Sequence, residues 1–271
     1  MNEETLFKRI DNNKRIHMIQ DLLLPDSYLN KVVKMHQQTT WHLPYNWDTF
    51  TEQELYTWCD LVNETDSLPD YVEDRIPLTP LNKQDLPIRG SVREYKKEFK
   101  LSKVELSSIL YKSFGRQKGE STKAYPSAGG LYPVLSVLVV IENNRVPFLD
   151  KGSYVYDSRE NELLLLKKFT PEDVNAFRKN VDMPWEVPGL AMAYAIDMKR
   201  AITKYKFRGY RHALIEVGLM SQAFRNSLWE TSENLGECCW SGFSDNAVSH
   251  ILGLSPRLAP VTLLQWFGEK Q

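Results

Sequence analysis

The apolar positions of this chain fall into alternating strand-length and helix-length groups. Val134–Ile141 is a short apolar run rich in Val, bounded by Pro133 and by Glu142-Asn143-Asn144, and predicts a buried strand. Leu190–Asp197 and Ala259–Phe267 read the same way. Gly152–Tyr156 and Glu162–Leu166 flank the turn-forming stretch 157–161 and predict a hairpin. Glu237–Ser244 predicts a strand running into a turn. Between these lie helical patterns. Over Ser102–Gly115, Leu106, Ile109, Leu110 and Phe114 share a face, and Ser102 with Glu105 three residues on forms a capping pattern. Thr170-Pro171 opens another helix, with Thr as cap and Pro at the first position. Asp245–Leu252 predicts a short helix ending at Gly253. Arg211–Glu230 is the longest periodic segment. Its expected stripe is Leu214, Val217, Gly218, Ser221, Phe224 and Leu228, where Gly218 and Ser221 would admit another backbone.

The first 38 residues are charged, with helix-like spacing at Ile19, Leu22, Leu23, Tyr28, Val32, Val33 and Met35. Residues 39–90 are rich in Pro, Asp and Thr and predict irregular chain. One helix interrupts them near Thr51–Val62, opening on Thr51 and Glu54. Alternating helices and strands imply a layered α+β fold.

Composition narrows the classes. The chain has 271 residues, 42% of them apolar and 25% charged, which suits a globular protein with a substantial core. A net charge of −1 argues against nucleic acid as a ligand. The charged N-terminus lacks a signal-peptide core, and the apolar runs are strand-length, so no membrane span is expected. Three cysteines, Cys59, Cys238 and Cys239, make neither a disulfide framework nor a zinc pattern. A reducing cytoplasm is the expected compartment. Cys238 and Cys239 fall in an expected strand, where at least one reads as a buried, inert thiol.

Two stretches carry chemistry. Residues 124–133 read Ala-Tyr-Pro-Ser-Ala-Gly-Gly-Leu-Tyr-Pro, immediately ahead of the buried strand. Gly129 and Gly130 would let backbone approach a flat ligand, and Ser127 supplies a hydroxyl that donates or accepts. Tyr125 and Tyr132 could pack on a ligand or on the protein. Residues 200–218 contain Lys204-Tyr205, then Arg208-Gly209-Tyr210-Arg211 entering the long helix. His212 in its first turn reads as a helix-surface residue. Upstream, Arg89-Gly-Ser-Val-Arg93 supplies guanidinium forks suited to phosphate.

Together these motifs resemble those of the nitroreductase superfamily, in its SagB-type (McbC-like) azoline dehydrogenase branch, over about residues 88 to 268. The resemblance implies a nitroreductase-like fold: a central, mainly antiparallel sheet flanked by helices, with the long helix at a homodimer interface. It divides the chain into an N-terminal extension, 1–87, and an FMN-binding domain, 88–271. Pro126, Ser127, Ala128, Gly129 and Gly130 would cradle the flavin, Arg89, Ser91 and Arg93 its phosphate, and no metal is implied. Lys204 and Tyr205 would be catalytic. Oxidising a thiazoline or oxazoline removes a proton and a hydride, so a base is needed beside the flavin. A lysine or tyrosine serves only when burial or a neighbouring cation lowers its pKa, and Lys206, Arg208 and Arg211 are such neighbours. The sequence leaves open which of Lys204 and Tyr205 takes the proton. Successive helical residues diverge by about 100°, so both can face one ligand only where the helix is irregular.

The implied function is FMN-dependent oxidation of peptide azolines to azoles, on a ribosomally made precursor peptide and beside cyclodehydratase subunits. Two other readings remain at this stage: a general NAD(P)H-dependent nitro- or quinone reductase, which would not need Lys204-Tyr205, and a non-catalytic flavoprotein scaffold.

Overall fold

The computed structural model describes residues 3–43, 51–64, 66–69, 71, 73–79, 90–117 and 119–271. The chain falls into two compact units, Met1–Leu43 with Ser91–Gln271, and Pro44–Gly90. Within the second unit lies one helix, α3 (Glu52–Asn63), capped by Thr51 through the expected reciprocal bonds with Glu54. The N-terminal helices α1 (Glu3–Leu23) and α2 (Asp26–Gln37) belong to the first unit. Pro25, which cannot continue a helix, separates them.

The rest of the first unit follows as α4 (Lys103–Phe114), β1 (Val134–Val140), β2 (Gly152–Asp157), β3 (Glu162–Lys168), α5 (Pro171–Lys179), β4 (Leu190–Ile196), α6 (Met198–Tyr205), α7 (Phe207–Thr231), β5 (Leu235–Trp240), α8 (Asp245–Ile251) and β6 (Val261–Glu269). The strands form one six-stranded sheet in the order β3-β2-β1-β4-β6-β5, antiparallel at every pairing. The expected α+β architecture is thus the observed one.

Strand β4 shows why. Its even positions, Leu190, Met192, Tyr194 and Ile196, join one core with Leu106, Phe114 and Phe224 from α4 and α7. Its odd positions, Ala191, Ala193 and Ala195, join a second core with Phe177 and Val248 from α5 and α8. Both faces are covered, so the strand is apolar throughout. Leu190, Met192 and Ile196, each taken fully out of water there, contribute roughly 1.5–3 kcal/mol apiece.

Caps at Ser102 and Thr170 start α4 and α5 as expected, each with both capping-box bonds. Three expectations need correction. Helix α7 starts at Phe207, four residues before Arg211. Its expected stripe is split: Val217, Phe224 and Leu228 are buried, while Leu214 and Gly218 are exposed. Strand β5 begins at Leu235, two residues before Glu237.

His36 on α2 has a structural role. His36 is buried, and its Nδ1 is hydrogen-bonded to Tyr210 Oη at 2.9 Å, tying α2 to the start of α7. Among the described residues no helix is long and apolar enough to cross a membrane.

Candidate functional site

The loop ahead of β1 is held by its own hydroxyl groups. Ser127 Oγ donates to Glu216 Oε2 on α7 at 2.5 Å and accepts from Tyr132 N at 2.8 Å. The Ser127 carbonyl accepts from Gly130 N at 3.0 Å, closing a 3-10 turn over Ala128–Gly130. Gly129 and Gly130 both take φ +64, where a side chain is strained, and Tyr132 takes φ 48 despite its bulk. Tyr132 is kept there by packing. Its ring meets Tyr125 edge-on at 5.7 Å, lies under the Arg116 guanidinium at 4.5 Å, and its Oη accepts from Lys123 N at 2.9 Å. Both tyrosines are buried at the ends of the loop, a packing role that the sequence left open.

Lys204 and Tyr205 are the last two residues of α6. The next residue, Lys206, turns the chain with φ 50 and ψ −132. Lys204 and Tyr205 both belong to the helix, so the expectation that they could face one ligand only where the helix is irregular does not hold: their long side chains reach the same glycine from successive helical positions. A Cβ placed on Gly129 would lie 2.6 Å from Tyr205 Oη and 3.0 Å from Lys204 Nζ. Gly209 makes the corner possible. A Cβ there would come within 2.1 Å of the Ala201 carbonyl oxygen, so only glycine lets α7 start against α6. His212 is half-buried, with its ring edge-on to Tyr205 at 5.1 Å and Nδ1 buried without a partner among the described residues.

Beneath the loop sits a charge that the sequence reading missed. Glu216 is 3% exposed, and its Oε1 is buried without a hydrogen-bond partner among the described residues. Burial pushes its carboxyl up to about 7, against the pull of the Ser127 hydrogen bond and of Lys123 and Arg200. Burial, and next the Arg116 charge, bring Lys123 down to about 8. One signal could have revealed Glu216: Ala213, Val217 and Met220, at spacings −3, +1 and +4 from it, are all apolar and all buried.

Ser91 and Arg93 lie elsewhere in the fold, beside β5. Val92 N donates to the Glu237 carbonyl at 2.8 Å, and Ser91 hydrogen-bonds the Cys238 thiol. Arg93 stacks 5.5 Å from the Trp185 ring centroid and opens onto a cavity of about 220 Å³ that Lys96, Lys97 and Arg145 also line. Among the described residues no hydrogen bond, ion pair or ring contact joins Ser91 or Arg93 to the Pro126–Gly130 loop. Arg89 lies outside the described residues. Both strand cysteines are free, and burial pushes Cys239 up to about 12, which suits inert thiols.

The Nitroreductase family model matches residues 88–268, which cover the loop, the α6–α7 corner and the Arg93 region. The chain belongs to the nitroreductase family. Among curated relatives, the microcin B17-processing protein McbC of Escherichia coli is 28% identical over 175 residues. That match takes in 63% of this chain and 63% of McbC, so the chain spans less than two thirds of that relative's length. The Methanocaldococcus jannaschii protein MJ1384, which carries a nitroreductase name, is 29% identical over 68% of this chain and 90% of its own. A chain of the Escherichia coli microcin synthetase McbBCD complex, solved with truncated pro-MccB17 bound, superposes with a TM-score of 0.78 at 20% identity. That superposition covers 94% of this chain and 97% of the other, and shows a shared fold.

Flavin is the cofactor implied for a nitroreductase of this kind, and the residues present fit it. A Cβ on Gly130 would meet nothing within 4 Å, so this left-handed backbone faces open space that a flat ring could enter. The Arg93 cavity is lined by Glu94 and Glu186 as well as by cations, and Lys96, Lys97 and Arg145 are ion-paired with Glu269, Glu186 and Glu142, so Arg93 is the guanidinium suited to a phosphate there.

Proposed function

We propose that this chain is an FMN-dependent oxidoreductase that oxidises thiazoline or oxazoline rings of a ribosomally made peptide to thiazoles or oxazoles. The observation that carries the reading is the convergence of Lys204 Nζ and Tyr205 Oη on Gly129, in the loop assigned to the flavin. Bound FMN would supply the hydride acceptor. The chain's own groups do the rest. The Gly129–Gly130 backbone lets a ring lie close. Lys204 and Tyr205 hold the position from which a proton is taken off the azoline carbon, and His212 fixes the Tyr205 ring from its edge. Pro126 and Ala128 shape the loop, while Arg89, Ser91 and Arg93 would take the phosphate. The likeness to McbC supports the peptide substrate and the partnership with cyclodehydratase subunits.

The two halves of the flavin site, loop and phosphate cavity, lack a contact with each other among the described residues of one chain. That separation supports a homodimer in which each flavin is held by the loop of one copy and the Arg93 region of the other. The exposed α7 positions Leu214, Ile215, Gly218 and Leu219 supply an apolar face for the second copy.

The test is purification, then turnover. The protein should be yellow, release FMN and not FAD on denaturation, and convert azoline peptides with dioxygen and without NAD(P)H. Failure to take up FMN would overturn the flavin reading. Oxidation of NAD(P)H by quinones or nitroarenes, with azoline peptides untouched, would replace it with the general reductase.

A further inference from the structure

A serine hydroxyl has one proton to give, and in this structure Ser127 gives it to Glu216 Oε2 while accepting from Tyr132 N. With Glu216 ionised, Ser127 therefore has nothing left to donate to a ligand. With Glu216 neutral, the same contact runs in reverse: the carboxylic acid donates to Ser127 Oγ. Both lone pairs of Oγ are then filled, by the acid and by Tyr132 N–H, and the hydroxyl proton must find another acceptor.

We propose that Glu216 is a positioning residue acting through Ser127: ionised, it keeps the Ser127 proton, and neutral, it releases that proton as a hydrogen-bond donor to the bound flavin. The proposal rests on the flavin reading above. It follows from the direction of two hydrogen bonds and from the burial of Glu216, whose Oε1 has no hydrogen-bond partner among the described residues. The groups facing Glu216 are Lys123 and Tyr125 from the loop and Arg200 from α6. The cations favour the charged form and burial the neutral one. The balance near 7 makes both forms accessible at neutral pH. Binding a flavin that accepts from Ser127 must then draw one proton from solvent onto Glu216 whenever the free protein holds it ionised.

The test is FMN affinity, read by quenching of flavin fluorescence from about pH 6 to about pH 8.5, for the wild type, Glu216→Gln, Ser127→Ala and Lys123→Gln. In the wild type the Kd should rise above about pH 7, by up to about tenfold per pH unit for one linked proton. Glu216→Gln, whose amide donates to Ser127 permanently, should hold the low-pH affinity across the range. Ser127→Ala should lose the linked rise too, at a weaker affinity throughout. Lys123→Gln should keep the rise, displaced upward because a cation beside Glu216 is gone. Parallel profiles for the wild type and Glu216→Gln would overturn the proposal, with FMN binding still standing. So would a rise that disappears only in Lys123→Gln. If none of these proteins binds FMN, the flavin reading fails and takes the proposal with it.

Discussion

Lys204 and Tyr205 diverge as neighbours on a helix must, yet both side chains are long enough to reach Gly129. Lys204→Ala and Tyr205→Phe should each slow azoline oxidation by about 100- to 10,000-fold while FMN stays bound, as stopped-flow rates and flavin content would show. The two glycines should separate cleanly. Gly129→Ala pushes a methyl into Tyr205 Oη, so turnover should fall further than FMN affinity. Gly130→Ala meets no protein atom, so its cost should appear in FMN affinity, through the filled space and the φ of +64. Glu216 predicts a pH effect on stability. Its folded value of about 7 lies above the ordinary 4.5, so the folded protein holds a proton there that the unfolded chain has lost. That contribution is complete below about pH 4.5 and is lost as pH rises through about 7. Glu216→Gln should therefore gain stability relative to the wild type between about pH 5 and pH 8, by up to about 3 kcal/mol in urea unfolding of the flavin-free protein. The glycines and the Lys-Tyr pair were legible in the sequence because residue type alone limits what they can do. Glu216 was not, since a glutamate in a helix reads as solvent-facing until its apolar neighbours at 213, 217 and 220 are placed in the core.

At the scale of elements, the α6–α7 corner brings Lys204 and Tyr205, the pair proposed as catalytic, to the glycine loop. The sequence pointed to the long helix but started it at Arg211, because the Arg208-Gly209-Tyr210 stretch lacks an apolar period. The structure starts it at Phe207, with Gly209 seated against the Ala201 carbonyl and Tyr210 anchored on His36. Gly209→Ala should cost about 3 kcal/mol or more in unfolding free energy, since backbone and not a flexible side chain blocks the methyl. Activity lost beyond the unfolded fraction would locate the damage at Lys204 and Tyr205. The capped helices α4 and α5 and the strands β1 to β4 were readable from local signals. The α7 stripe was not, because Leu214 and Gly218 share a helical period with buried residues while facing outward.

At the scale of the molecule, the antiparallel sheet was legible as a class, since alternating short strands and helices leave few other packings. Which strands neighbour which was not, because pairings such as β4 with β6 join residues far apart in sequence. The same long-range geometry sets Arg93 apart from the glycine loop, which motivates a site shared between two copies. Mixing an Arg93→Ala protein with a Gly130→Ala protein, then exchanging subunits, should restore FMN-dependent activity toward about a quarter of wild type, because half the dimers are mixed and each carries one intact site. No restoration, with subunit exchange verified, would place both halves of each site in one chain. The central claim is a flavin oxidation of a peptide azoline. It is tested most directly by mixing FMN-loaded protein with an azoline peptide in the absence of dioxygen and following flavin absorbance and peptide mass together. The account predicts that the yellow colour bleaches as the peptide loses two hydrogens, about 2 Da per ring. Flavin that stays oxidised beside an unchanged azoline peptide, in a protein that NAD(P)H does bleach, would contradict it.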